Sequence, residues 1–107
     1  VDQAFLEHMK PEAILINVSR GAVLDESALI QVLTQGRLRS VHLDVFEQEP
    51  LPESHPLWEI ERVHITPHNS WVSEMRNERR LALILENLKR LAISAPLLNV
   101  VDVRRGY

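Results

Sequence analysis

The chain has 107 residues, with 12 lysines and arginines, 15 acidic residues, a net charge of −3 and no cysteine. The length suits one small domain, the charge gives no electrostatic case for binding nucleic acid or an anionic membrane, and disulfides and thiolate metal sites are excluded. No apolar run approaches the ~20 residues of a membrane span. The first residues lack the regions of a signal peptide. The absence of cysteine does not fix the compartment, and a reducing cytoplasm is the default expectation.

The first elements predicted are a short helix and a strand. Asp2 is placed to cap the helix, and Pro11 follows its end. The apolar run Ala13–Val18 then predicts a strand that is buried on both faces. One side of the helix is expected to carry Phe5, Leu6 and Met9.

A second helix and a second strand come next. Asp25 is a suitable N-cap, and Gly36 is a suitable residue just beyond the last turn. The run Val41–Phe46 predicts a strand parallel to the first, because a helix connects the two. The helix residues predicted to face inward are Leu29, Ile30, Val32 and Leu33.

The second half of the chain begins with a proline-rich loop and ends with a long helix. Prolines at 50, 52 and 56 predict the loop, and Leu57-Trp58 is expected to anchor it to the core. Arg62–Thr66 predicts a short third strand, which Pro67 ends. Ser70 is expected to cap a helix that runs to about Ala92. Its apolar face would carry Leu81, Ile84, Leu85, Leu88 and Leu91.

These elements predict an α/β fold: the C-terminal half of a doubly wound Rossmann-type parallel sheet of about three strands, plus a long C-terminal helix. Glycine occurs only at 21, 36 and 106, so the sequence has no Gly-x-Gly-x-x-Gly phosphate loop. The strand around Ile14–Val18 would be left as an open edge, and the long helix would lack a partner. We therefore expect self-association, as a homodimer.

Three polar side chains follow the three predicted strands. Arg20 follows the first, Glu49 the second and His68 the third. Parallel sheets place their ligand sites at the carboxyl ends of the strands, so this spacing suggests a His–Glu–Arg active site.

Plain alternatives remain for each candidate on spacing alone. Arg20 is equally compatible with a surface residue, and His68 with a turn residue. Asp44 also fits a buried and hydrogen-bonded acid, which is uncommon because buried carboxylates are costly unless paired. A residue such as Glu49 before a proline is more often an exposed loop residue. His64 lies four residues before His68, but Pro67 and the strand character between them argue against a metal site. We therefore expect no metal.

Several spaced motifs resemble NAD-dependent D-isomer-specific 2-hydroxyacid dehydrogenases. The matches run from about Phe5 to Ser70, so the chain looks like the C-terminal part of such an enzyme. Residues 1–70 would be the C-terminal half of its dinucleotide-binding domain, and residues 71–107 a helix and tail that pack on a substrate domain. The motifs are Met9-Lys10-Pro11, Ala13–Gly21, Leu24–Leu29, Gly36-Arg37-Leu38, Leu43–Phe46, Glu49–Pro52, His55–Trp58 and Ile65–His68.

The resemblance implies catalytic roles at the matched positions. Arg20 would bind the carboxylate and carbonyl of a 2-keto acid, which suits its planar fork. His68 would act as general acid in reduction and as base in oxidation. Glu49 would hold His68 and favour its protonated form. The substrate pocket would comprise Arg20, His68 and Trp71.

The resemblance also implies a nicotinamide cofactor, NAD, with NADP as the alternative. Asp44 would meet the nicotinamide end, together with the backbone around Val18 and Ser19. The other cofactor contacts implied are Arg20, His68 and Ser70. Without a phosphate loop, we expect the 107 residues alone to bind NAD weakly and to be inactive.

One departure from the family pattern raises a second functional hypothesis. The family usually has small residues after this histidine, whereas this chain has His68-Asn69-Ser70-Trp71. A tryptophan there resembles the corepressor branch, the C-terminal-binding proteins. The alternative function is therefore a dehydrogenase-like, NAD-sensing regulator or partner-binding module.

Overall fold

A three-stranded parallel sheet organises residues 1–71 in the computed structural model, which describes residues 1–105. The strand order is β1-β2-β3, so β1 and β3 lie at the edges. The strands are β1 (Ile14–Asn17), β2 (Ser40–Leu43) and β3 (Val63–Ile65), with helices α1 (Gln3–His8) and α2 (Glu26–Thr34) and two short 3-10 helices, Gly21–Val23 and Pro56–Glu59. The predicted α/β class and parallel strands are confirmed.

The ends of the two helices follow the predicted capping chemistry. A carboxylate oxygen of Asp2 accepts from the N–H of Phe5 at 2.9 Å, and Asp25 accepts from the N–H of Ala28 at 2.9 Å. Gly36 follows the last turn of α2 with φ of 77°, a conformation that favours glycine. Local sequence therefore sets the bounds of α2.

The hydrophobic core lies between these helices and one face of the sheet. In β2, Val41 and Leu43 are buried whereas His42 between them is exposed. This alternation shows that the helices cover only one face of the sheet in this unit. The buried cluster comprises Leu6, Leu24, Ala28, Leu29, Val32, Leu33, Leu38, Val41, Leu43, Phe46 and Leu57.

The predicted burial of the first strand on both faces is wrong. Ile14 is 48% exposed and Ile16 is 63% exposed, because no element of residues 1–71 covers that face. In α1, only Leu6 is buried, and Phe5, which was expected on the same side of the helix, is 57% exposed. The apolar run Ala13–Val18 therefore predicted a strand correctly, but it did not show whether both faces of the strand are covered.

The end of the second strand and one core residue also differ from the prediction. The second strand ends at Leu43, so Asp44, Val45 and Phe46 lie buried in the following turn rather than in the strand. Leu57 is fully buried, whereas Trp58 is 51% exposed and donates from Nε1 to the carbonyl of Pro52 at 2.9 Å. The indole N–H needs a polar partner, which keeps the ring at the surface.

The second compact unit begins at Val72 and contains helix α3 (Arg76–Ala92). The prediction that Ser70 caps this helix is wrong: the N-cap is Met75, without a side-chain hydrogen bond. The tail folds back on α3 through Asn87, whose side chain accepts from the N–H of Leu98 at 2.8 Å and donates to its carbonyl at 3.2 Å. Among residues 1–105, no helix is long and apolar enough to cross a membrane.

Candidate active site

His68 and Glu49 form a direct pair at the carboxyl edge of the sheet. Nδ1 of His68 lies 2.7 Å from Oε2 of Glu49, and the two side chains are 41% and 36% exposed. His68 has φ of 51°, in the left-handed region that non-glycine residues rarely adopt. Such a conformation persists where surrounding contacts fix it, and it is frequent at functional sites.

The carboxylate of Glu49 is held by a second contact within its own turn. Its Oε1 accepts from the N–H of Phe46 at 3.0 Å. The hydrogen bond from His68 lowers the pKa of Glu49 below its ordinary value. The Phe46 N–H and the positive charges of His68 and Arg20 lower this pKa further, and together these effects outweigh partial burial, which raises it. Glu49 is therefore ionised beside the imidazole at neutral pH.

Arg20 reaches the same site from the turn that follows β1. Asn17 is only 6% exposed, and its side chain donates to the carbonyl of Arg20 at 3.1 Å and accepts from the N–H of Ser19 at 3.2 Å. Nη1 of Arg20 donates to the carbonyl of Ser19 at 2.6 Å. The turn is thus fixed by a buried amide.

Gly21 brings this turn against the turn that carries Glu49. A Cβ added at Gly21 would lie 1.9 Å from the carbonyl oxygen of Phe46 and 2.4 Å from the nitrogen of Glu47. Only glycine permits this approach of two backbones. As a result, Arg20, Glu49 and His68 line one cavity of about 390 Å³, and the structure brings the three predicted catalytic residues together.

Asp44 fixes the segment that carries His68. It is 2% exposed and accepts from the hydroxyl of Thr66, from the N–H of Asn69 at 2.9 Å and from the N–H of Ser70 at 2.8 Å. Burial alone would raise the pKa of Asp44, but hydrogen bonds from Thr66, Ser70 and Asn69 outweigh it and hold that pKa well below the usual range. The structure thus places Asp44 as a buried, hydrogen-bonded acid.

The remaining predicted site residues are Val18, Ser19, Ser70 and Trp71, and their contacts differ. Val18 is 56% exposed, and Ser19 is also exposed beside it. The backbone N–H of Ser70 is bound to Asp44. Trp71 is 57% exposed and donates from Nε1 to the carbonyl of His68 at 2.8 Å, but it does not line the cavity that Arg20 shares with His68.

A second and larger cavity borders the same catalytic pair. Its volume is about 560 Å³, and it touches both Glu49 and His68. The rest of its lining is mostly apolar, from Phe46, Pro50, Leu51, Trp58, Ile65 and Pro67. The pair therefore borders two cavities, one lined in part by the charged side chains of Arg20 and Glu47 and the other lined mostly by apolar residues.

Sequence reasoning missed two buried polar residues that support the site, Asn17 and Glu26. The sequence does contain a signal for Asn17, because a polar residue at the end of an apolar run needs a buried hydrogen-bond partner.

His64, which was considered as a metal ligand with His68, stacks instead on His42 with ring centroids 4.5 Å apart. Within residues 1–105 no cluster of three or more His, Asp or Glu side chains is arranged to hold a metal ion.

The chain is similar in sequence and in fold to known proteins. Residues 1–70 match the family model described as D-isomer specific 2-hydroxyacid dehydrogenase, NAD binding domain. The chain belongs to this family. It is 41% identical over 107 residues to glyoxylate/hydroxypyruvate reductase A of Serratia proteamaculans, covering all of this chain and 34% of that protein. The chain spans about a third of the length of the curated relatives it matches.

Solved structures of family members are also similar in fold. A D-isomer specific 2-hydroxyacid dehydrogenase from Xanthobacter autotrophicus Py2, in complex with NADPH and MES, is 44% identical with a TM-score of 0.85 over 98% of this chain and 43% of that one. An NADPH-dependent glyoxylate/hydroxypyruvate reductase from Sinorhizobium meliloti, with NADP and sulfate, is 29% identical with a TM-score of 0.85 over 99% of this chain and 34% of that one. These relatives are dehydrogenases or reductases and give the corepressor alternative no support.

Proposed function

We propose that the intact protein containing this chain is a nicotinamide-dependent reductase of small 2-keto acids. The observation that carries the proposal is the contact of His68 with Glu49 in a cavity that Arg20 also lines. An anion-binding guanidinium beside a carboxylate-held imidazole is the pair of groups that reduction of a 2-keto acid needs.

His68 is the proton donor in this proposal. The carboxylate of Glu49 can only accept, so Nδ1 of His68 carries a proton and Nε2 is the nitrogen that exchanges a proton with substrate. When bound, the cofactor supplies a hydride to C2. His68 gives its Nε2 proton to the carbonyl oxygen, which yields the 2-hydroxy acid, and it takes that proton back in the oxidation.

Arg20 binds and orients the substrate, and Glu49 orients His68. The guanidinium pairs with the substrate carboxylate through two parallel N–H donors, which fixes the carbonyl relative to His68. Because the pKa of Glu49 is lowered, its negative charge is present throughout the neutral range and stabilises the imidazolium.

The candidate cofactor-binding residues of this chain fit the nicotinamide end of a dinucleotide and not its phosphate groups. Val18, Ser19 and Arg20 are exposed at the carboxyl end of β1, which is where open parallel sheets bind such ligands. Asp44, His68 and Ser70 lie at the neighbouring strand ends, and Asp44 acts through the loop it holds. No phosphate-binding glycine loop occurs in these residues. NAD and NADP differ only at the adenosine ribose, far from the nicotinamide end, so both fit the proposal.

The names of the relatives indicate which substrates to test first. Glyoxylate and hydroxypyruvate, with pyruvate as a third acid, should be assayed with NADH and NADPH on the full-length protein. We expect His68→Ala to lower kcat by roughly 10²- to 10⁴-fold and Arg20→Ala to lower kcat/KM by about 10- to 100-fold, mainly through KM.

Matched controls separate these effects from general damage. His8→Ala removes an exposed histidine of α1, and Arg39→Ala removes an exposed arginine before β2. Both should keep wild-type kinetics. Full turnover by His68→Ala, or NAD binding by the folded full-length protein without turnover of any of the three acids, would refute the proposal. The second outcome would favour the regulatory alternative suggested by Trp71.

The proposal extends to assembly and location. Residues 71–107 would pack on a substrate domain, and the intact protein would be a cytoplasmic homodimer. Support comes from the apolar face of α3, which is about half exposed or more at each of five positions, and from β1 at the edge of the sheet. The five positions are Leu81, Ile84, Leu85, Leu88 and Leu91.

A further inference from the structure

Glu26 is a buried carboxylate outside the catalytic trio. It lies in the first turn of α2, and the residue is only 6% exposed. Burying a carboxylate is costly unless hydrogen bonds compensate for the lost water. The partners of Glu26 therefore indicate what this burial achieves.

The principal partner of Glu26 is the backbone of Glu47, 21 residues further along the chain. Oε1 of Glu26 accepts from the N–H of Glu47 at 2.7 Å. In return, the carboxylate of Glu47 lies 3.4 Å from the N–H of Glu26 as an acceptor. This reciprocal contact ties the start of α2 to the turn after β2.

His55 completes the surroundings of Glu26. Nε2 of His55 lies 3.4 Å from Oε2 of Glu26, and Nδ1 of His55 accepts from the N–H of Leu57. Because Nδ1 is an acceptor, the ring proton is on Nε2 and faces Glu26. One carboxylate oxygen thus accepts a hydrogen bond from Glu47 and the other lies near the His55 ring, and both partners come from the polypeptide between Phe46 and Leu57.

The turn that Glu26 holds is the one that presents Glu49. Glu47 lies two residues before Glu49, and the turn is closed by the contact between the N–H of Phe46 and Oε1 of Glu49. Gly21 packs against the same backbone from the side of Arg20. The Glu49 carboxylate therefore reaches His68 from a turn fixed on one side by Gly21 and on the other by Glu26.

We infer that Glu26 is a positioning residue, which through the N–H of Glu47 sets the placement of the Glu49 carboxylate against His68. The inference rests on the proposed reductase function. Glu26 itself touches neither substrate nor cofactor in this scheme. Loss of the Glu26 carboxylate should disturb the orientation of the proton donor His68 and therefore lower kcat. Binding of the keto acid by Arg20, and therefore KM, should change less.

Variants at position 26 of the full-length protein test this inference. Glu26→Ala removes the acceptor, and displacement of the turn by about 1 Å would lower kcat by roughly 10- to 100-fold with little change in KM for the keto acid. Glu26→Gln keeps an oxygen that can accept from the N–H of Glu47 and gives up only the 3.4 Å contact with His55, so kcat should return to within about threefold of wild type. Glu53→Ala, at an exposed acidic residue of the next loop, is the matched control.

Glu26→Asp keeps the test decisive if Glu26→Ala does not fold. Aspartate keeps the charge but is one methylene too short for the contact with Glu47, so kcat should fall where Gln restores it. Wild-type kcat in folded Glu26→Asp and Glu26→Ala, or equal losses in Gln and Asp, would overturn the inference. Failure of the proposed function is distinct, because the wild-type protein would then turn over none of the three acids, or His68→Ala would keep full turnover.

Discussion

Substitution of Gly21 by alanine tests the contact between the two catalytic turns. The new Cβ would lie 1.9 Å from the carbonyl oxygen and 2.0 Å from the carbonyl carbon of Phe46. Both are backbone atoms, so no side-chain rotation relieves the clash. The turns must separate by about 1.5 Å to restore an ordinary van der Waals contact.

This separation has a cost in stability and a cost in activity. Overpacking of this kind destabilises by about 1–3 kcal/mol, which should appear as a lower midpoint of thermal unfolding. Because Arg20 precedes Gly21 and Glu49 follows Phe46, the same movement separates the guanidinium from the His68–Glu49 pair. A misplacement of this size should lower kcat/KM for glyoxylate by roughly 100-fold.

The assay compares Gly21→Ala with Gly36→Ala in the full-length protein. Gly36 has φ of +77°, and an added Cβ there meets nothing within 4 Å. Gly36→Ala should therefore lose about 1 kcal/mol of stability to backbone strain while keeping its activity. If Gly21→Ala has wild-type kcat/KM and wild-type unfolding, the close approach of the two turns does not position the site and the reasoning fails.

Two further predictions concern the anchor of the His68 loop and self-association. Asp44→Asn should lower the midpoint of thermal unfolding at pH 7. Because folding lowers the pKa of Asp44, the ionised carboxylate stabilises the fold above the ordinary aspartate pKa, and this stabilisation is lost as the pH falls below that value. The wild type should therefore lose this part of its stability below about pH 4, whereas Asp44→Asn should not show that loss. Equal acid dependence of wild type and Asp44→Asn in pH-dependent melting would contradict this role. The 107-residue chain should sediment as a dimer or larger species, and a monomer at high concentration would count against self-association.

Local signals were enough to predict most of the fold of residues 1–71. Asp2 and Asp25 act as N-caps as expected because capping depends only on residues three positions away. The alternation of apolar runs with a capped helix also predicts parallel strands, since a helical crossover leaves little choice of direction. The convergence of Arg20, Glu49 and His68 follows from the same rule, because all three come after strands of one parallel sheet.

Features that depend on distant parts of the chain were not predictable. The exposure of Ile16 depends on what covers one face of the sheet, which an apolar run does not reveal. Ser70 has the residue type of an N-cap, but its N–H is bound to Asp44, 26 residues earlier, and α3 begins only at Arg76. The contact of Glu26 with Glu47 likewise joins two turns whose relative position only the packed core defines.

The anchoring of residues 69 and 70 has a consequence for how such a protein can diversify. Asp44 accepts from their main-chain N–H groups, which every amino acid except proline possesses. The side chain at position 69 can therefore change over evolution while the imidazole keeps its place, whereas the Ser70 side chain also hydrogen-bonds Asp44.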